Sequence, residues 1–139
     1  MKILISVDGS ENSNYMVEWA CQVFHKENNE FYLFTVISEP MLTEYKLEDA
    51  VAILAKAKDK LESCGFQVKK AEYMTGDPAQ RICQYADDEA VDQVLMGSHG
   101  RSGLAKVLLG SVSEAVLEHC NQSVFIYRHY LNVLANSKP

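Results

Sequence analysis

The sequence predicts an α/β fold in which helices cover both faces of a five-stranded parallel sheet. Short apolar runs alternate along the chain with longer segments whose apolar residues recur at helical spacing. This alternation is typical of a parallel sheet with helices packed on both sides. A length of 139 residues with 47% hydrophobic residues suits one compact domain, so we expect a single domain over residues 1–139.

The first half of the chain predicts two strands and two helices. Residues 2–7 form a short buried strand, and Ser10 caps the helix that follows the turn at Asp8 and Gly9. The apolar face of this helix carries Tyr15, Met16, Trp19, Ala20 and Val23. Residues 31–37 form a second buried strand. A long helix follows and ends at Gly65, and its apolar face carries Leu47, Ala50, Val51, Leu54, Ala57, Leu61 and Cys64.

The second half predicts three strands and two helices. Residues 67–74 form a more polar strand, which we expect at a sheet edge. Asp77 caps the next helix with Pro78 in its first turn, and the inner face of this helix carries Ile82, Tyr85 and Ala86. Residues 91–96 form the fourth strand and 123–128 the fifth. The helix between them is marked by Val112, Ala115, Val116 and Cys120, and the tail over 130–139 has no predicted place.

Charge and hydropathy disfavour several classes of partner. The formal net charge is -6, and lysine and arginine are scattered along the chain, which disfavours binding to nucleic acid or to an anionic membrane. The apolar stretch at the N-terminus is too short for a signal peptide, and no run approaches the ~20 apolar residues of a membrane span. We therefore expect a cytoplasmic protein.

The cysteines show no metal or redox motif. Cys21, Cys64, Cys83 and Cys120 are far apart and lie in segments predicted to be helical. This pattern favours small buried thiols in a reducing compartment over metal binding or redox chemistry.

A glycine-rich segment after the fourth strand is the main functional signal. Gly97, Gly100 and Gly103 precede a helix start, where exposed backbone N–H groups and the helix dipole favour phosphate. Ligands of open parallel sheets bind at the carboxyl ends of the strands, so Asp8 and this loop would face each other across one crevice if the first and fourth strands are neighbours. The loop is not a Walker A motif, because no Gly-Lys-Ser or Gly-Lys-Thr closes it. It is not the dinucleotide fingerprint either, because Ser98 stands where the first glycine should be.

The spacing of the glycines resembles that of a known family. Gly97 and Gly100 are separated by two residues, and nine more lead to Gly110-Ser111. This pattern, together with the segments at 3–10 and 76–78, resembles the ATP-binding branch of the universal stress protein family, whose signature is G-x2-G-x9-G-S/T. The resemblance extends over essentially the whole chain. It implies strand order 3-2-1-4-5 and a homodimer joined through the fifth strand.

The resemblance also implies a nucleoside end and a phosphate end of the site. Asp8 and the backbone of Val7 would contact the nucleoside. The backbone of Val36 would contact the adenine edge, and Met96 would pack near the sugar or base. The phosphates would be held by Gly97, Gly100, Gly110, Ser111, Val112 and Ser113.

His99 and Arg101 complete the predicted site. Arg101 either reaches a terminal phosphate or is solvated, and His99 is the only plausible general base in the loop. The implied ligand is ATP, ADP or AMP, with Mg²⁺ held through the phosphates and water.

Several of these residues have alternative, structural interpretations. Ser111 and Glu114 also match a capping box, and Asp8 also suits a turn. The glycines also suit a tight loop, and Val36 and Met96 would be core residues in any fold of this kind. The chain departs from the family at Ser123, where many members have proline, and in its longer tail, which would lie near the implied subunit interface.

The site favours a binding protein over an enzyme. Fast hydrolysis needs a positioned base, a phosphate-bridging lysine and a metal-binding carboxylate, which the loop does not clearly offer. We therefore expect an ATP-binding regulatory or stress-response module. Two alternatives stay open: a slow ATPase or nucleotidyl-transfer enzyme that uses His99 or Arg101 at the γ-phosphate, and a dimeric scaffold that binds no nucleotide.

Overall fold

Strands and helices alternate along the chain as the sequence predicts. The computed structural model describes residues 1–38, 44–98 and 109–129. In chain order its elements are β1 (Lys2–Ser6), α1 (Glu11–Val23), β2 (Glu30–Ile37), α2 (Glu44–Ser63), β3 (Val68–Thr75), α3 (Pro78–Asp88), β4 (Gln93–Gly97), α4 (Ser111–His119) and β5 (Ser123–Tyr127). The predicted tail over 130–139 lies outside the described residues.

The five strands form one parallel sheet in the order β3-β2-β1-β4-β5. This confirms the predicted fold class and strand order. The polar strand β3 lies at one edge, as its composition indicates, and β5 lies at the other. The chain moves outward from β1 through β2 to β3 and then returns past β1 to β4, so the strand order reverses at β1. Ser6 pairs with Phe34 of β2 and Met96 of β4, which aligns the carboxyl ends of these strands.

Each face of the sheet carries its own apolar core. Because successive side chains of a strand point to opposite faces, Ile3 and Ile5 pack with α1 and α2, whereas Leu4 packs with α3 and α4. These three residues are 0% exposed. The central strand is therefore apolar at consecutive positions because both of its faces are buried.

Local signals fix the helix ends where the sequence predicts them. The Ser10 hydroxyl accepts the N–H of Ser13 at 3.1 Å, and the Asp77 carboxylate accepts the N–H of Gln80 at 2.9 Å. Gly65 ends α2 with a φ of +89°, a backbone conformation that residues other than glycine rarely adopt.

Three residues predicted on buried helix faces are exposed. Tyr15, Val23 and Val51 have exposed fractions of 36%, 48% and 56%. Each residue turns a helix by about 100°, and the buried stripe is little wider than that, so residues beside it reach solvent. In α2 the buried positions are Ala50, Leu54, Ala57 and Leu61, which leaves Val51 at the margin.

The expectation of four buried thiols is wrong. Cys83 and Cys120 form a disulfide between α3 and α4, with their Cα atoms 5.0 Å apart. Cys21 and Cys64 are free thiols and only partly buried. The pairing depends on α3 and α4 packing side by side on one face, a relation that the 37-residue separation in sequence does not reveal. Among the helices described here, none is long and apolar enough to cross a membrane.

Candidate functional site

A cavity of about 440 Å³ opens where β1, β2 and β4 end. Its position follows from the topology, because the connections after β1 and β4 leave the sheet toward opposite faces and part at this point. The N–H of Val7 donates to the Phe34 carbonyl at 3.0 Å, so β1 stays paired with β2 up to the edge of the cavity. The cavity therefore lies at the crevice in which open parallel sheets bind their ligands.

The structure brings nine of the predicted site residues together. All nine line this cavity: Val7, Asp8, Val36, Met96, Gly97, Gly110, Ser111, Val112 and Ser113. The other three, His99, Gly100 and Arg101, lie outside the described residues.

Asp8 holds the turn between β1 and α1 and also faces the cavity. Its Oδ1 accepts the N–H of Ser10 at 2.9 Å, and its own N–H donates to the Ser13 hydroxyl at 3.3 Å. The turn interpretation of Asp8 is thus supported, but it does not exclude a ligand role. A carboxylate has two oxygens with about four lone-pair directions, so one group can serve both the turn and a ligand.

The N-terminus of α4 forms the opposite wall. Gly110 is the N-cap, with no side-chain cap bond, and its carbonyl accepts the N–H of Glu114 at 3.0 Å. The capping-box interpretation of Ser111 is therefore wrong, because a capping box needs serine at the N-cap, whereas Ser111 is the first residue of the helix and follows the N-cap. The backbone N–H groups of Ser111, Val112 and Ser113 belong to the first turn, where they need acceptors from outside the helix. This wall presents hydrogen-bond donors and a positive dipole end to the cavity.

The Ser98 carbonyl connects β4 to α4. It accepts the N–H of Gly110 at 2.6 Å and the hydroxyl of Ser113 at 3.0 Å. The Ser98 N–H in turn donates to the Tyr127 carbonyl of β5 at 2.8 Å. Ser113 is 2% exposed, and its hydroxyl also lies 3.1 Å from the Gly110 carbonyl. Its hydroxyl proton is therefore used within the protein, which leaves the backbone N–H as the group that this residue offers to a phosphate.

The start of α2 also lines the cavity, which sequence reasoning missed. Lys46, Asp49, Ala50 and Ile53 line it at the i, i+3, i+4, i+7 spacing of one helix face. A signal existed, because a helix that follows a parallel strand must start at the carboxyl edge of the sheet. Lys46 adds a cation to the lining of the cavity, and Asp49 adds a second carboxylate to that of Asp8.

Metal binding by side chains has no support in the described part of the chain. Within residues 1–38, 44–98 and 109–129, no three His, Cys, Asp or Glu side chains are grouped so that they could hold a metal ion.

Fold and cavity define a doubly wound α/β protein with a cavity at the point where the strand order reverses. The chain belongs to the universal stress protein family, because the family model described as "Universal stress protein family" matches residues 1–128. This confirms the resemblance at the level of the family, and membership of the ATP-binding branch stays a prediction.

Three relatives illustrate the match. The universal stress protein MJ0577 of Methanocaldococcus jannaschii is 40% identical over 81 residues, which cover 58% of this chain and 49%, or about half, of that protein. A solved MJ0577 structure superposes with a TM-score of 0.81 at 32% identity, covering 92% of this chain and 95% of that chain. The Archaeoglobus fulgidus universal stress protein in complex with dAMP has a TM-score of 0.72 at 19% identity, covering 92% of this chain and 98% of that chain. A family member from Arabidopsis thaliana with AMP bound has a TM-score of 0.72 at 20% identity, covering 100% of this chain and 96% of that chain.

Proposed function

We propose that this chain is an ATP-binding regulatory module of the universal stress protein family, in which nucleotide occupancy sets conformation or partner choice. One observation carries the proposal: a single cavity has the carboxylate of Asp8 on one wall and the N-terminus of α4 on the other. A nucleotide needs this combination, since its ribose hydroxyls donate to carboxylates and its phosphates accept from N–H groups.

The size and walls of the cavity suit an adenine nucleotide. About 440 Å³ falls within the range of roughly 300–1,000 Å³ that is usual for small-molecule sites. Val36 and Met96 supply apolar surface near Asp8, where a base and sugar would lie. Gly97 and Gly110 leave room for phosphate oxygens beside the backbone. Two relatives of the same fold, from Archaeoglobus fulgidus and Arabidopsis thaliana, carry dAMP and AMP.

We expect Mg²⁺ to bind together with the phosphates of the nucleotide. It retains several waters in proteins and binds through substrate phosphates and one or two carboxylates. The described residues offer no side-chain cage for it. We therefore expect Mg²⁺ to raise the affinity for ATP and to leave the affinity for AMP nearly unchanged.

Titration calorimetry tests the proposal. ATP, ADP and AMP are titrated into the chain with and without Mg²⁺, and into Gly110→Val as the site variant. Gly110 has a φ of -72°, which valine adopts readily, so the variant should fold and lose binding because its side chain crowds the phosphate end. Lys58→Ala, on an exposed part of α2, is the control that should bind normally. Absence of binding by the unsubstituted chain at millimolar nucleotide would favour the scaffold alternative.

The enzymatic alternative depends on residues outside the described part of the chain. His99 would act as the base and Arg101 would stabilise the γ-phosphate. Incubation with ATP and Mg²⁺ separates the two functions. Multiple turnovers that disappear in His99→Ala would replace the binding proposal with an ATPase.

We further propose a homodimer that forms through β5. β5 is an edge strand, and Phe125 on it is 51% exposed. Leu117 of the adjacent α4 is 45% exposed, so the two side chains offer apolar surface for a second copy. The Cys83–Cys120 disulfide argues against the cytoplasmic location expected from the sequence, since disulfides persist mainly in oxidising compartments.

A further inference from the structure

Two free cysteines meet on the face of the sheet opposite the disulfide. Cys21 lies in α1 and Cys64 follows the last residue of α2, and both pack against the same apolar core. The Cys21 Sγ lies 3.9 Å from the Lys60 carbonyl oxygen, and the Cys64 N–H donates to the same oxygen at 3.2 Å. Both cysteines therefore converge on one carbonyl, at the place where the two helices touch.

The two thiols differ in their surroundings. Burial raises the pKa of Cys21 to about 12, with the adjacent Cys64 thiol and the Glu18 carboxylate adding to the rise and Lys60 opposing it. Cys21 therefore stays protonated at neutral pH and is a slow nucleophile. Beside Cys64, the ammonium of Lys26 lies against Gly65, within 3.0 Å of where a Cβ would stand. This cation attracts anionic reagents to the Cys64 side of the pair.

We propose that Cys21 and Cys64 are a reversible dithiol pair that an anionic small disulfide, such as oxidised glutathione, converts into a second disulfide between helices. The Cys64 thiolate attacks one sulfur of the small disulfide, whose S–S bond breaks and releases one small thiolate. The thiolate takes up a proton, and a mixed disulfide remains on Cys64. Cys21 then loses its proton and attacks the Cys64 sulfur, which expels the second small thiol. Two protein thiols are oxidised and one small disulfide is reduced to two thiols.

This pair lies away from the nucleotide cavity. In a parallel sheet the helices run opposite to the strands, so α2 starts at the cavity and ends, just before Cys64, at the far edge. The new bond would join α1 to α2 as Cys83–Cys120 joins α3 to α4, with one link in each helical layer. The inference therefore goes beyond nucleotide binding and is tested without any nucleotide.

Peptide mapping after oxidation tests the pair directly. The full chain is treated with oxidised glutathione, its free thiols are alkylated, and it is cleaved after Lys and Arg without reduction. The cleavage leaves each cysteine on its own peptide, 3–26, 61–69, 82–101 and 107–128. The expected product is peptide 3–26 joined to 61–69, lighter by two hydrogen atoms than the sum of the two. A stable glutathione adduct on the unsubstituted chain, a link from either cysteine to Cys83 or Cys120, or unreacted thiols would each overturn the proposal.

Two single variants test the order of the steps. In Cys21→Ser the adduct should persist on Cys64, because no second thiol removes it. In Cys64→Ser, Cys21 should react at least about tenfold more slowly than Cys64 does in Cys21→Ser, because burial, the largest cause of the raised pKa of Cys21, remains in this variant. Equal rates would overturn the assigned order. The control is Cys83→Ser/Cys120→Ser, which should still form the 3–26 to 61–69 link, and circular dichroism confirms that each variant is folded.

Discussion

Gly110 donates its backbone N–H to the Ser98 carbonyl at 2.6 Å, and this bond fixes the N-cap of α4 to the residue that follows β4. The Ser113 hydroxyl donates to the same carbonyl at 3.0 Å. The segment between β4 and α4 therefore has its two ends joined, whatever the course of the residues between them. For a phosphate site built from helix N–H groups, this connection positions the donors relative to the sheet.

Replacing Ser113 with alanine tests this connection. In this variant the Ser98 carbonyl still accepts the Gly110 N–H but no longer accepts the hydroxyl of residue 113. Because Ser113 is only 2% exposed, water does not readily replace the lost hydrogen bond. We expect a loss of about 1–2 kcal/mol in the free energy of unfolding, and weaker nucleotide binding because the N-terminus of α4 is less firmly held. Urea unfolding and calorimetry measure the two effects. Ser123→Ala, at an exposed position of β5, is the matched control, and an equal loss in it would contradict this role of Ser113.

Substitutions of Asp8 separate its turn role from its proposed ligand role. Asparagine keeps an oxygen that can accept the N–H of Ser10, now held at 2.9 Å, but removes the charge. We therefore expect Asp8→Asn to keep its stability and to bind nucleotide about 10–100-fold more weakly, as for the loss of one hydrogen bond to a charged group. Asp8→Ala should lose about 1 kcal/mol of stability as well. Unchanged affinity in Asp8→Asn would limit Asp8 to the turn.

The strands and helices could be predicted because their signals are local, whereas the strand order and most of the cavity residues were implied by the family resemblance. Buried strands and the Asp77–Pro78 helix start are visible in a few consecutive residues. The glycine spacing predicted that Gly97 and Gly110 belong to the site, and both line the cavity. Lys46 and Asp49 were missed because their place in the wall depends on where α2 begins relative to the sheet edge. The helix start at Ser111 was misjudged by one residue, since Ser111 and Gly110 are both acceptable N-caps.

Both cysteine pairs were missed for a different reason. Cys83 meets Cys120, and Cys21 meets Cys64, only after two helices pack on one face of the sheet. No spacing rule in the sequence describes such a contact. Pairing of this kind follows from the topology, which therefore has to be known first.

Reduction of the Cys83–Cys120 disulfide should destabilise the protein. The bond closes a loop across a sequence separation of 37 residues, and in the chain-entropy model such a loop contributes up to about 4 kcal/mol by restricting the unfolded state. Urea unfolding with and without a thiol reductant measures the loss. Cys83→Ser/Cys120→Ser should unfold at the same urea concentration in both conditions. A reductant effect of equal size in that variant would assign the stabilisation to another source.

Tyr85 should make stability depend on pH under alkaline conditions. Its hydroxyl is buried, and its ring stacks on Phe34 with centroids 4.2 Å apart. Burial and the nearby carboxylates of Glu72 and Glu89 raise the pKa of Tyr85 in the folded state. Below the usual phenol pKa of about 10, Tyr85 is protonated in both the folded and the unfolded state, and its contribution to stability is fully present. This contribution is lost as the pH rises from that value through the higher pKa of the folded state.

The variant Tyr85→Phe isolates this contribution. Phenylalanine keeps the stack on Phe34 and removes the buried hydroxyl, so stability at neutral pH should change by less than about 1 kcal/mol. Above a pH of about 10 the variant should lose stability less steeply than the unsubstituted chain. Unfolding curves recorded across this range measure the slope. The control is Tyr73→Phe, because Tyr73 is 41% exposed, and this variant should leave the slope unchanged.

The exposed surface of β5 predicts the effect of a charge on association. Phe125 is 51% exposed on an edge strand, so in the proposed dimer a Phe125→Glu variant would bring a carboxylate from each subunit into the apolar interface. Burying unpaired like charges is costly, and we expect the variant to sediment as a monomer at concentrations where the unsubstituted chain is a dimer. Val51→Glu places the same charge at a position of α2 that is 56% exposed, and it should not change the mass. If the unsubstituted chain is itself monomeric, or if Val51→Glu dissociates equally, β5 is not the dimer interface, and its exposed phenylalanine needs another explanation.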